Sequence, residues 1–136
     1  MNIKLKKLHK DAVVPKYAKP GDAGMDLTAV EMNITDNYVE YKTGISLEIP
    51  DGFVGLVFPR SSNCNKSLLL SNGTGVIDSK YRGEIMLRYK SIGNNYYEVG
   101  DRVGQIIIMP YPQIQFDEVD ELSTTERGTG GFGSSN

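Results

Sequence analysis

The residues able to do chemistry on a small, charged molecule fall into five short segments of this sequence. In Gly73-Thr74-Gly75-Val76-Ile77-Asp78-Ser79-Lys80-Tyr81-Arg82-Gly83-Glu84 a carboxylate and an aromatic ring stand in what reads as a strand–turn–strand hairpin. Its glycines lack side chains and let backbone approach a ligand closely. Phe58-Pro59-Arg60-Ser61-Ser62-Asn63 follows an apolar strand. There proline ends the pairing, and a guanidinium beside hydroxyls offers a fork of donors suited to phosphate. Gly100-Asp101-Arg102-Val103-Gly104-Gln105 leads into an aliphatic run at 106–109, so Gln105 is the last polar residue before a buried strand. Gly21-Asp22-Ala23-Gly24-Met25-Asp26-Leu27 enters a strand with Asp26 on the face opposite its two apolar neighbours. Finally, Arg127-Gly128-Thr129-Gly130-Gly131-Phe132-Gly133-Ser134-Ser135 sets one arginine and one phenylalanine among glycines, both able to grip a charged, flat ligand. Taken singly, each segment reads first as an ordinary hairpin, loop, strand start, surface carboxylate or loose tail.

Composition removes other chemistries. One cysteine, Cys64, excludes an internal disulfide and a cysteine-based zinc cluster. One histidine, His9, speaks against a His-dependent triad or a multi-histidine metal site. Both read as structural or incidental. Fifteen Lys/Arg against seventeen Asp/Glu give a net charge of −2, which argues against generic nucleic-acid binding. The aliphatic runs at 68–70 and 106–109 fall far short of a membrane span of about 20 residues. The basic start (Lys4, Lys6, Lys7, Lys10) leads into no apolar stretch, so no signal peptide or secretion is expected and the chain should stay in the cytoplasm, or in the host-cell cytosol if its gene is viral. What chemistry there is falls to carboxylates, backbone amides, arginines and a bound cation.

The elements that must position these residues are short strands punctuated by Gly, Pro, Asn and Asp, with no sustained helical period. Strands are expected at 3–5, 24–29, 38–42, 44–49, 53–58, 67–70, 75–78, 84–89, 95–98, 105–109 and 114–119, with a lone helical turn near 61–66. In 44–49 the apolar Ile45, Leu47 and Ile49 alternate with Ser46 and Glu48, and Pro50-Asp51-Gly52 then supplies a turn. At 136 residues, 39% hydrophobic and 24% charged, one domain with a real core is expected. The predicted class is all-β, an antiparallel barrel or jelly roll, over residues 1–122. Residues 123–136 hold almost no aliphatic side chain and are expected to form a Gly-rich arm, mobile when alone.

In order, the five segments resemble the five motifs of the homotrimeric dUTPases (dUTP diphosphatases). Ala23-Gly24-Met25-Asp26-Leu27 is similar to the first, Pro59-Arg60-Ser61-Ser62 to the second, residues 72–84 to the third, 100–105 to the fourth and 127–134 to the fifth. Val-Ile-Asp-x-x-Tyr-x-Gly followed by Arg-Gly-x-Gly-Gly-Phe-Gly is specific in combination, and the similarity runs from about residue 23 to 135. The resemblance implies a distorted jelly roll that forms a homotrimer with active sites at subunit interfaces. Motifs one, two and four would come from one subunit, motif three from a second, and the arm from a third. One departure stands out: the family usually has glycine after its Arg-Ser, whereas this chain has Ser62 and then Asn63-Cys64-Asn65. Its phosphate loop is therefore expected to take a conformation of its own.

The implied reaction is dUTP plus water giving dUMP and diphosphate, which keeps uracil out of DNA and supplies dUMP for dTMP synthesis. By its motif place, Asp78 resembles the general base that steers water onto the α-phosphorus. Mg²⁺ would ride on the triphosphate and its waters, with no direct protein ligand and with Asp26 supporting the site, through metal-bound water among other routes. Arg60, Ser61, Ser62 and Gln105 would contact phosphates. Asn72, with backbone around Gly75 and Ile77, would pair with the uracil edge, and Tyr81 would pack on the deoxyribose and exclude a 2′-hydroxyl. From the arm, Phe132 would stack on uracil, Arg127 would reach the γ-phosphate, and Gly133 and Ser134 would add contacts. The related dCTP deaminases share an Arg-Ser-Ser triplet, but use a glutamate in the strand where this chain has Leu87 and Arg88, and they lack the arm. A trimer kept only for binding is the remaining class, and the complete acid, arginine and arm set argues against it.

Overall fold

Ten strands and one 3-10 turn make up the described part of the computed structural model, residues 1–134. Ser135 and Asn136, the end of the glycine-rich run, lie outside the described residues. In chain order the strands are β1 (Lys4–Lys7), β2 (Met25–Thr28), β3 (Glu31–Ile34), β4 (Val39–Lys42), β5 (Ile45–Glu48) and β6 (Phe53–Phe58). The 3-10 turn Ser61–Asn65 follows, then β7 (Leu68–Leu70), β8 (Gly75–Ile77), β9 (Met86–Ser91) and β10 (Arg102–Pro110). All pairings are antiparallel. One four-stranded sheet runs β2-β10-β6-β8, a second runs β3-β4-β9-β7, and β1 pairs with β5 alone. The all-β class expected from the strand pattern is the class found.

Both sheets feed one hydrophobic cluster. Leu27, Val57, Val103 and Ile106 come from the first sheet, and Val39, Tyr41, Leu68, Leu87 and Tyr89 from the second. β10 lies between two partners, which suits its nearly continuous aliphatic run. In β5, Ser46 is buried against expectation, because its hydroxyl donates to the Arg82 carbonyl at 2.6 Å. Three tyrosine rings, Tyr41, Tyr89 and Tyr97, pack edge to face or tilted at centroid distances of 5.8–6.1 Å. The Tyr41 hydroxyl donates to the Tyr97 carbonyl and that of Tyr89 to the Val103 carbonyl. Burial pushes the Tyr41 hydroxyl from 10.0 up to about 12 and raises that of Tyr89 as well. These folded-state values lie above the unfolded ones, so the stability that the tyrosines lend is full below pH 10.0 and is lost as pH climbs through the raised values. Circular-dichroism melts should therefore hold their midpoint from neutral pH to about 10 and fall steeply above it.

Three expectations fail, each for a stated reason. β3 lies outside the expected strands: its sequence, Glu-Met-Asn-Ile, alternates polar and apolar residues over only four positions, and pairing with β4 across the 35–38 turn makes it a strand. Residues 95–98 are not a strand but an irregular segment whose Tyr97 fills the core. Residues 114–119 are not a strand either, and Ile114, Phe116 and Val119 project into solvent. A strand needs a neighbour, and the described residues offer that segment none.

Candidate active site

Strand register brings the first, second and fourth segments together. On β10, Gln105 stands opposite Asp26 of β2 on one side and Phe58 of β6 on the other. The end of β6 then delivers Pro59, Arg60 and Ser61 beside them. A cleft of about 400 Å³ opens here, lined by Asp22, Gly24, Asp26, Arg60, Ser61, Arg102 and Gln105 with Ala18, Ala23 and Ile107. Asp26 organises its charge. Arg60 Nε donates to Asp26 Oδ1 at 2.8 Å and Arg102 Nη1 to Asp26 Oδ2 at 3.3 Å, so both carboxylate oxygens serve guanidinium groups. Arg60 Nη1 also donates to the Ser62 hydroxyl at 3.2 Å. Gln105 Nε2 donates to the Pro59 carbonyl at 2.9 Å, and its Oε1 lies where a Cβ on residue 24 would sit. Only glycine fits at Gly24 without displacing Gln105. Gly24→Ala is therefore expected to depress the dUTP turnover that the resemblance implies and leave the melting temperature nearly unchanged, as read by steady-state rates beside a thermal melt.

The third segment builds a different cleft. β8 forms the edge of its sheet, paired only with β6, and Asp78 follows at its end. A cavity of about 320 Å³ is lined by Ser71, Asn72, Val76, Ile77, Asp78, Tyr81, Glu84, Met86 and Arg88. The loop that closes it is braced from within. Tyr81 OH donates to the Glu84 carbonyl at 2.9 Å with its ring folded over Gly83, whose missing Cβ makes room for it. Arg82 Nη1 donates to the Ser79 and Tyr81 carbonyls, and Ser79 Oγ to Asp51. Glu84 Oε2 accepts from the Gly44 backbone at 2.9 Å. Among the described residues the Asp78 carboxylate enters no hydrogen bond or ion pair, which leaves both oxygens open to a ligand or water. Gly75 lies behind this wall, its α-carbon facing Val57 and Asn72. Arg88, across the cavity, is held by Glu40 at 2.8 Å and lies over the Tyr38 ring.

The two clefts share no lining residue, and no described residue of the tail lines either. Arg127 Nε donates instead to the Gly130 carbonyl at 3.0 Å in a local turn. Phe132 is fully exposed with φ +53°, a conformation that a bulky residue seldom adopts, and Gly133 and Ser134 are exposed beside it. So Asp26, Arg60, Ser61 and Gln105 come together, as do Asn72, Ile77, Asp78 and Tyr81, while Arg127, Phe132, Gly133 and Ser134 join neither group. Reading by residue type missed Arg102. The signal was a charged residue at the start of β10, which pairs with Thr28 and reaches Asp26 with its guanidinium.

A family model described as dUTPase matches residues 10–136. The chain belongs to the dUTPase family. The deoxyuridine 5'-triphosphate nucleotidohydrolase of Clostridioides difficile is 41% identical over 138 residues, covering 98% of this chain and 96% of that protein. That of Picosynechococcus sp. is 40% identical over 139 residues, covering 98% of each. Among solved structures, a Staphylococcus bacteriophage 80alpha dUTPase with dUPNHPP superposes with a TM-score of 0.85 at 27% identity, covering 99% of this chain and 98% of that one. A dUTPase variant of phage phi11 of S. aureus, described with a structural Mg(II) ion, shares the fold at a TM-score of 0.78 and 22% identity, over 91% and 100% of the two chains. The dUTPase membership rests on the whole length, and the antiparallel jelly roll of the dUTPases is the fold seen here.

Proposed function

We propose that this dUTPase-family chain hydrolyses dUTP to dUMP and diphosphate in sites shared between the copies of a homotrimer. The observation that carries the proposal is the separation of the arginine cleft from the Asp78 cleft, with a glycine-rich tail belonging to neither. One copy alone does not hold a complete site. A second copy's hairpin set against the Asp26–Arg60–Gln105 cleft would bring Asp78 to the α-phosphorus, and a third copy's tail would close over the base. The segment before that tail fits the same reading. Ile114, Phe116, Val119 and Leu122 are exposed among Asp117, Glu118, Asp120 and Glu121, while an apolar groove of about 310 Å³ beside Ile3, Leu5, Val14 and Tyr17 lies in a lysine-rich stretch.

In the shared site Asp78 accepts a proton from water as the water oxygen attacks the α-phosphorus, the bond to the α–β bridging oxygen breaks, and diphosphate leaves. Such transfer depends on positioning and charge neutralisation more than on covalent help, so a carboxylate suffices. Arg60, Ser61, Ser62 and Gln105 hold phosphate oxygens, and Asp26 aims Arg60 and Arg102 at them. Asn72, with the backbone of Gly75 and Ile77, pairs with uracil, and Tyr81 lies against the deoxyribose. Arg127 takes the γ-phosphate and Phe132 stacks on the base, with Gly133 and Ser134 beside it. Among the described residues no group of three or more His, Cys, Asp or Glu side chains is arranged to chelate a metal, and Asp26 is spoken for by two arginines. These residues suit a Mg²⁺ that arrives with the triphosphate's own oxygens and water. When bound, that cation neutralises phosphate charge and orients the leaving diphosphate. Work on a nucleotide pool fits a cytoplasmic enzyme, and no helix among the described residues is long and apolar enough to cross a membrane.

The deciding experiment is diphosphate release from dUTP, UTP, dCTP and dTTP, with and without Mg²⁺. Fast release from dUTP with discrimination against dCTP of about 10⁴ or more is expected, because cytosine leaves buried donors and acceptors unpaired. Equal rates on all four would overturn the substrate assignment, and ammonia from dCTP would move the chain to the deaminase class. Tyr81→Ala should raise UTP use relative to dUTP, since its ring is the group expected to meet a 2′-hydroxyl. An unchanged UTP/dUTP ratio removes Tyr81 as the sugar gate.

A further inference from the structure

The 3-10 turn that follows Arg60 has no buried residue and no side-chain cap, so nothing of its own fixes its place. It is held from outside by residues 95–97, the irregular segment between β9 and β10. Asn63 is the main anchor. Its Nδ2 donates to the Leu68 carbonyl at 2.9 Å, and its Oδ1 accepts the Tyr97 hydroxyl at 2.9 Å. Its backbone N–H donates to the Arg60 carbonyl, and its carbonyl accepts from Lys66, both at 2.9 Å. Asn95 Nδ2 adds a bond to the Asn65 carbonyl at 2.6 Å.

Tyr97 is a fixed peg for this anchor. It is 3% exposed, its ring stands edge-on to Tyr41, its carbonyl accepts the Tyr41 hydroxyl, and Lys66 Nζ lies 5.1 Å over its face. Burial raises the Tyr97 hydroxyl above its ordinary value, so it remains a donor at neutral pH. At the other end of the turn, Arg60 is pinned by Asp26. The turn therefore spans two fixed points, the core tyrosine cluster and the Asp26 carboxylate. Arg60 and Ser61 lie between them.

We propose that Tyr97 and Asn63 are positioning residues for catalysis: their hydrogen bond, relayed to Leu68, sets where Arg60 and Ser61 meet the substrate's phosphates. The proposal rests on the reading of Arg60 and Ser61 as phosphate ligands. It supplies a reason for the departure at residues 62–65, where a half-buried polar tether holds a turn that lacks the usual glycine. A displacement of about 1 Å at such a ligand is enough to lower rates by up to about 10²-fold, so a loosened tether should be visible in kinetics well before the fold fails.

The test compares Tyr97→Phe, which deletes one hydroxyl and keeps the ring, with Asn63→Ala, their double variant, Arg60→Ala and Thr43→Val. Thr43 is a control: its hydroxyl donates to the Ile85 carbonyl at 2.6 Å, buried and unconnected to the turn. Tyr97→Phe and Asn63→Ala should each lower kcat/KM for dUTP about tenfold and weaken a non-hydrolysable dUTP analogue comparably, whereas affinity for dUMP falls far less. The double variant should lose little more than either single one, because both cut the same relay. Thr43→Val should lower the melting temperature and keep kcat/KM within about twofold. If Arg60→Ala is impaired while Tyr97→Phe and Asn63→Ala keep kcat/KM, the relay is overturned alone. Equal loss of dUMP and analogue affinity, or an equal kinetic loss in Thr43→Val, would also overturn it, as that pattern belongs to general loosening. A parent protein inactive on dUTP, or an Arg60→Ala variant without effect, would overturn the phosphate reading and the relay's role with it.

Discussion

Asp78→Asn is expected to lower kcat for dUTP by about 10²–10⁴-fold, the usual range for loss of a positioned general base. The fold should hardly notice. Asp78 is exposed at the end of an edge strand, and among the described residues no internal partner depends on its charge. Asparagine keeps the shape and removes the proton acceptor, so affinity for a non-hydrolysable dUTP analogue should persist or improve as a negative charge leaves the neighbourhood of the phosphates. One other carboxylate, Glu84, lines the same cavity. It is committed to the fold through the Gly44 backbone and is poorly placed to substitute as base. Steady-state diphosphate release beside calorimetric titration of the analogue separates the two effects. An unaltered kcat removes Asp78 from the role of base, and a parallel loss of binding and turnover would make it a substrate ligand instead.

How legible this was in the sequence depends on where the physical signal resided. β5 and β6 were readable because alternation and the Pro50-Asp51-Gly52 turn are local properties. β3 was not, since its Met32 packs against the core only through the register set by β4. The over-read strand at 114–119 carries genuine apolar spacing, but strand formation needs a partner edge, and none among the described residues pairs with it. At the site, Arg60, Gln105, Asp26 and Asp78 were visible as residue types with motif spacing. Their division into two clefts entered only through the family resemblance; residue types and spacing do not carry it, because it follows from sheet order: β8 sits at the edge, and β6 separates it from the β2–β10 pair. The pairing of Tyr97 with Asn63, a residue that stood out only as part of a departure from the family's motif, was hidden as well. Thirty-four residues separate them, and only the packing of three tyrosine rings brings the hydroxyl to the amide.

Truncation before Arg127 is the second large effect expected, a fall in kcat/KM of about 10²-fold or more with assembly and melting unchanged. The tail gives its own chain little to lose: Phe132 is fully exposed and Arg127 bonds only within its local turn. Truncation alone does not say whose site the tail closes, but mixing does. Copies lacking the tail and copies carrying Asp78→Asn are each expected to be nearly inactive. Co-assembled at equal amounts, some sites would take Asp78 from a tail-less copy and the tail from an Asp78→Asn copy. Random assembly of a ring in which the two parts come from different neighbours makes about a quarter of the sites complete. A site drawn wholly from one chain makes none. Recovered dUTP hydrolysis near that fraction after co-refolding would fix the tail and Asp78 on different subunits, and the absence of any recovery would place the tail and Asp78 of each site on one chain.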